Sequence, residues 1–299
     1  MDQVDLEALT ADLRDPDHRI RSEASKKLLE NGGESAMKIF LDACTDDREA
    51  TREIAASALS EIGDGRAIEP LLEGLSMGSD WPLWNSAHLA FVHIGEPAVD
   101  TLINSLSDPR FPDWDTRSFV FIQALGKIGD ERAVQPLIDL LVDPRESSVH
   151  HAVARALADI GDPRAVGAII WAMEQYPTSR AHDSYVDALV RLKDPRAFDT
   201  FVVLLSHDQE AFRKWGAKGL GSLGDSRAIS HLEPLCSDRS AAVREWAVRA
   251  LGDIADEKAI GVLKLTMEDD NKEVRKRAVK ALKRIGTEEA LRALHDDVQ

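Results

Sequence analysis

The sequence predicts an all-α fold: a right-handed α-α superhelix, or α-solenoid, of about nine helical hairpins, each 31–34 residues long. Three observations carry that expectation. One phrase recurs along the chain, as EIGDGRAIEPLLEGL, KIGDERAVQPLIDLL, DIGDPRAVGAIIWAM, RLKDPRAFDTFVVLL, SLGDSRAISHLEPLC and DIADEKAIGVLKLTM. Apolar residues within each recurrence are spaced for helices. A helix-stopping residue followed by an acid divides each recurrence in two.

The elements follow in order from that division. The residue before the acid is Gly32, Gly63, Gly95, Gly129, Gly161, Lys193, Gly224, Ala255 and Gly286, at spacings of 31, 32, 34, 32, 32, 31, 31 and 31. Upstream of each lies a first helix, A, with one apolar stripe, as in Val243, Trp246, Ala247, Ala250, Leu251 and Ile254. The glycine supplies the left-handed residue that ends helix A. The acid that follows (Asp64, Asp130, Asp162, Asp194, Asp225, Asp256) caps a second helix, B, and Pro163 and Pro195 suit its first turn. Helix B carries its own stripe, as in Ala67, Ile68, Leu71, Leu72 and Leu75. Neither helix can hide its stripe alone, so stacked pairs must share one core. The expected organisation is a single domain over 1–299, with residues 1–18 as an N-terminal half-repeat cap and 271–299 as a basic C-terminal capping repeat.

Composition narrows the function classes. The 299 residues are 43% hydrophobic, 5% aromatic and 30% charged, with 18 glycines and 12 prolines, which is neither a disordered nor a low-complexity chain. A formal charge of −16 repels a phosphate backbone at long range, so no nucleic-acid partner is expected. Cys44 and Cys236 have no metal or redox spacing and read as core residues. The N-terminal MDQVDLEALTADLRD lacks the pattern of a secretory signal, and no apolar run is long enough to span a bilayer. A cytoplasmic protein with no membrane partner is expected. The nine histidines include no H-E-x-x-H and no i, i+4 pair among His88/His93 and His150/His151. With no phosphate-binding loop or nucleophile elbow either, no catalytic residue, metal or cofactor is assigned.

The recurring phrases resemble the HEAT-like repeats first recognised in phycobilin lyases, and the resemblance covers essentially the whole chain. It implies the solenoid fold but no single activity, because such repeats serve in scaffolds and adaptors, bilin attachment factors, an iron-dependent hydroxylase and alkylpurine DNA glycosylases. The hydroxylase depends on His-Glu dipeptides, and this sequence has none. The glycosylase needs a basic channel, and the inner wall here reads as acidic. A bilin lyase-like or cofactor-handling role remains the alternative that the resemblance itself suggests.

Residues that depart from the repeat are the informative ones. One slot of helix A holds Arg21, Arg52, Arg213, Arg244 and Arg275 in the outer units, an arginine that HEAT-like repeats tend to stack against neighbouring acids. The middle units hold Trp84, Ser118, His150 and His182 there instead. His150 and His182 read either as ladder positions or as groups that contact a ligand. The longest connections, MGSDWPLW, SDPRFPDWD and EQYPTSRAHD, fall on one edge and bring Trp81, Trp84, Phe111 and Trp114 toward one neighbourhood, with Tyr176 on the third. The rings either seal loose core or anchor a partner. Trp215, Trp246 and Arg277 occupy one slot in successive units and read as a cation–π stack.

The fifth and ninth residues after the capping acid face outward from helix B and line the concave wall. They are Glu69, Glu73, Gln135 and Asp139 early in the chain, then Gly167, Trp171, Asp199, Val203, Ser230, Pro234, Gly261 and Leu265. Small Gly167, Ala168 and Gly261 beside Trp171, Val203 and Leu265 would admit an apolar helix face or a peptide; packing across a tight superhelix is the alternative. The segment NKEVRKRAVKALKRIG carries a local charge of +6, leaving −22 elsewhere, and reads as a solvated end cap or an attractor of an acidic partner. The expected function is a non-catalytic scaffold or adaptor that binds a partner protein or peptide through the groove and the aromatic edge.

Overall fold

In the computed structural model, residues 3–78, 81–112, 117–176 and 181–296 are described, and every regular element among them is a helix. The chain divides into two compact units, Met1–Asp162 and Pro163–Gln299. In the first, α1 (Gln3–Asp12) precedes α2 (His18–Asn31), α3 (Gly33–Ala43), α4 (Glu49–Ile62), α5 (Ile68–Ser76), α6 (Trp81–Ile94), α7 (Val99–Ser105), α8 (Gln123–Ile128), α9 (Val134–Val142) and α10 (His150–Ile160). The second contains α11 (Ala165–Gln175), α12 (His182–Leu192), α13 (Phe198–Leu204), α14 (Glu210–Leu223), α15 (Ile229–Leu232), α16 (Ala241–Ile254), α17 (Ile260–Thr266), α18 (Lys272–Ile285) and α19 (Glu288–Asp296). After α1, A and B helices alternate as the repeat requires, and the fold is an all-α solenoid.

Most turns between A and B are built as the repeat implies; at the first, Gly32 stays right-handed (φ −91°) and Gly33 takes the positive φ of 48° instead. Gly63, Gly129, Gly161, Gly224 and Gly286 take left-handed backbone with φ between 66° and 80°. Lys193 (φ 51°) and Ala255 (φ 57°) hold the same conformation without glycine's freedom. The carboxylates of Asp64, Asp130, Asp194, Asp225 and Asp256 each accept the backbone N–H two residues on, at 2.9 Å. The cap first closes a short 3-10 turn, and helix B then continues from it.

Two elements are wound differently from expectation. The A helix that ends at Ile128 opens as a π-helix over Arg117–Ile122. It belongs to the longest repeat, at a spacing of 34, and a π turn takes up an extra residue without breaking the stripe. In the hairpin after Gly224, α15 lasts only four residues before a 3-10 segment, Glu233–Ser237. Pro234 has no N–H to continue the α ladder.

Within each unit, A helices pack on A helices through small residues. A β-carbon on Gly126 would lie 2.7 Å from Ala156 Cα, and one on Gly221 would lie 2.8 Å from Ala250 Cα. The stripe residues fill the layer between A and B: Leu59, Leu72, Phe91 and Leu125 in the first unit, and Leu189, Phe201, Leu220 and Leu251 in the second, are almost wholly buried. Cys44 and Cys236 lie in this interior, where burial pushes both thiols up to about 12 and leaves them unreactive at neutral pH.

Candidate binding face and the altered ladder rung

The ladder arginine fastens each loop to its neighbours. Arg213 Nη1 donates to the His207 and Asp208 carbonyls at 2.9 and 2.8 Å, while Nε and Nη2 grip the Asp238 carboxylate at 2.7 and 2.9 Å. One hairpin on, Arg244 donates to the Asp238 carbonyl at 3.0 Å and grips Asp269 at 2.7 and 2.9 Å. Arg21, Arg52 and Arg275 likewise bind the carbonyls five and six residues before them. Hydrogen bonds from Arg244 hold the Asp269 carboxyl below the usual carboxylate range. At Asp238 burial pushes the other way, and the hydrogen bonds from Arg213 and the Ser240 N–H, together with the nearby positive charge of Arg213 and Arg239, outweigh it.

The loop acids have a second task, since Asp46, Asp238 and Asp269 each accept the backbone N–H two residues on. His207 does the same through Nδ1, which accepts the Gln209 N–H at 3.0 Å. His207 therefore stands where Asp238 and Asp269 stand, 25 residues after His182 as they are 25 after Arg213 and Arg244. One rung of the ladder has both members replaced by histidine. His207 escaped the sequence reading, although this constant offset would have found it.

His182 is 5% exposed, and its Nδ1 is buried with no hydrogen-bond partner. Its ring packs on Tyr185, on Phe212 at 4.9 Å and on Trp215 at 6.2 Å, while His207 stacks on the same Phe212 at 4.1 Å. Burial lowers the His182 pKa, so the imidazole is neutral near pH 7. Beside this rung opens a cleft of about 290 Å3. Met173, Leu204 and Phe212 join His182 among its buried lining, and Glu174, Asp199, Val203 and His207 form its exposed rim.

The outward B positions are exposed as their periodicity implies, from Glu69 and Glu73 to Gly261 and Leu265. In the second unit Trp171, Val203 and Leu265 are 39%, 73% and 75% exposed on α11, α13 and α17. Nothing lies within 4 Å of where a β-carbon on Gly167 or Gly261 would stand, so both positions face open space. Tyr176 is half-buried, edge-on to Trp171 at 5.9 Å.

Several expectations need correction. Phe111, 2% exposed, packs edge-to-face on Phe121 at 4.9 Å and belongs to the core, because its apolar ring has a buried partner directly beneath the loop. His150 is fully buried and turns Nε2 to the Asp143 carbonyl at 3.3 Å, so it serves the ladder rather than a surface. His182 is likewise interior and reaches a surface only as lining of the cleft. Trp81 is 58% exposed, and its ring centroid lies 4.4 Å from that of Phe119. Trp84 is half-buried, and Trp114 lies outside the described residues. In place of an Arg277 stack, Arg249 lies over Trp246 at 4.6 Å and Arg277 pairs with Glu245 at 2.8 Å. The helical offset of three puts Arg249 on the same face as Trp246, while Arg277 finds a carboxylate within reach.

Residues 6–91, 99–181, 169–247 and 233–297 match the profile of HEAT repeats, and the chain belongs to the HEAT-repeat family. No curated protein matches the sequence. Among solved structures it is similar to Kap121p bound to Pho4p, at 12% identity and a TM-score of 0.67 over 98% of this chain. It spans 39% of that longer protein. An engineered protein is 22% identical over 99% of this chain and 92% of its own, with a TM-score of 0.48. The CpcE and CpcF complex of phycocyanin lyase from Nostoc sp. PCC7120 is 19% identical over 88% of this chain and 94% of its own, at 0.42. At these identities the likeness is one of fold. Among the described residues no helix is long and apolar enough to cross a membrane, and no group of three or more His, Cys, Asp or Glu side chains is placed to hold a metal ion.

Proposed function

We propose that the chain is a non-catalytic interaction module that binds a partner protein or peptide on the B-helix face of its second unit. The observation that carries this reading is the exposure of Trp171, Val203 and Leu265 beside Gly167 and Gly261, whose missing side chains leave room for an incoming backbone. A solenoid that needed these positions for its own stability would bury them. Trp81 on the first unit is a separate exposed ring, suited to a rim contact. Kap121p, whose fold this chain shares, has been solved bound to protein partners, which supports a binding role for such a face without naming a partner here.

The test is capture of partners from the native host by the wild-type chain and by a Trp171→Ser/Val203→Asp/Leu265→Asp variant. All three side chains are exposed, so helicity and Tm should stay unchanged while captured partners are lost. Undiminished capture by the folded variant would remove this face from the function. A parallel Trp81→Ala variant reports on the first unit.

A further inference from the structure

The His182–His207 rung has lost a cation and an anion together. In neighbouring rungs the arginine guanidinium occupies the space between a loop and the next hairpin, with backbone carbonyls and a carboxylate around it. Histidine is shorter and brings no such head. Around the altered rung lies the cleft of about 290 Å3, with an apolar lining of Met173, Leu204 and Phe212. Its one buried polar side chain is His182, whose neutral ring keeps an unpartnered Nδ1. On the rim stand the carboxylates of Glu174 and Asp199, neither in an ion pair among the described residues.

We propose that this cleft receives an arginine side chain from the bound partner, beside the rung where the chain itself carries histidine in place of arginine. The proposal rests on the reading of the second unit's B face as a binding surface, and it names the chemistry that the face selects. The apolar lining suits the methylene stem of an arginine. The guanidinium head carries five N–H donors in a fork, enough to engage both rim carboxylates. Lysine would bring a single point charge, where the arginine fork can engage the two carboxylates together. A purely apolar side chain would leave both carboxylates unanswered. Val203, exposed on the same rim, and exposed Trp171, three residues before Glu174 on α11, offer the apolar contacts that a peptide carrying the arginine would use.

The probe is a fluorescein-labelled peptide of alternating Leu and Arg, compared by fluorescence anisotropy with the same peptide carrying citrulline at every arginine. Citrulline keeps the shape and removes the charge. The wild-type chain should prefer the arginine peptide by about tenfold or more. The variant His182→Arg/His207→Asp rebuilds the rung in the pattern of Arg213 and Asp238, fills the cleft from within, and should keep Tm while losing that preference. Asp199→Lys, on the exposed rim, should lose it too and decides the matter if the double variant does not fold. Equal binding of the two peptides by the wild type, no binding of either, or an unchanged preference in the folded variants overturns the proposal. If partner capture still depends on Trp171, Val203 and Leu265 when that happens, the cleft assignment alone falls; if capture is also independent of them, the binding face falls with it.

Discussion

Gly252 and Ala281 meet where two neighbouring A helices come closest: a β-carbon on Gly252 would stand 2.7 Å from Ala281 Cβ. The contact fixes the rank spacing at that point, because the backbones approach as far as the absence of one side chain permits. Gly252→Val should therefore force α16 and α18 apart and cost about 1–3 kcal/mol. Urea denaturation would show it as a lower midpoint. Gly167 is the control, since an added methyl there meets nothing and gains helix propensity, so Gly167→Ala should stabilise by about 1 kcal/mol.

Lys193 and Ala255 stand in left-handed backbone where the other hairpins use glycine. An L side chain pays about 1–2 kcal/mol for that conformation, partly offset by glycine's larger unfolded-state entropy. Ala255→Gly should raise stability by up to about 1 kcal/mol without altering the fold. Differential scanning calorimetry would detect the rise, and a fall in Tm would show that the turn is relaxed with alanine.

Arg213 and Asp238 are both largely shielded from solvent and bound in a two-pronged contact. Removing the guanidinium in Arg213→Ala strands the Asp238 carboxylate and the carbonyls of His207 and Asp208, at a cost of about 3 kcal/mol. Arg213→Ala/Asp238→Ala should cost less than the sum of the single changes, which a double-mutant cycle measures. An additive result would mean that the pair does not act as a unit.

Acid acts through the buried imidazoles. Burial lowers the pKa values of His88, His150 and His182, while in the unfolded chain a histidine takes up its proton near pH 6.5. The unfolded state therefore binds more protons below that value, and stability, complete above about pH 6.5, falls as pH drops through the lowered folded values. Tm should fall between pH 7 and pH 5, and by less in a His150→Asn variant, whose amide can still donate to the Asp143 carbonyl. The paired Asp238 and Asp269 act lower, since their contribution is present above the unfolded value of 3.8 and is lost as pH falls through their depressed values.

Much of this architecture was legible in one dimension. The spacing of Gly63, Gly129, Gly161, Gly224 and Gly286, the acids after most of them and the stripes on either side dictate paired helices, because each signal acts within a few residues of itself. The same periodicity marks Trp171, Val203 and Leu265 as outward residues.

Burial at the irregular edge was not legible in this way. Phe111 and Trp81 fall in similar stretches of sequence, yet Phe111 sinks from a loop onto Phe121 while Trp81 opens α6 and stays 58% exposed, because a ring's surroundings come from side chains on other helices. The altered rung is of the same kind. A repeat prescribes local geometry through backbone conformation and stripe. Whether His182 and His207 pack on the same Phe212, with an open cleft beside them, depends on contacts between residues that no local pattern links, and those exist once the helices have packed.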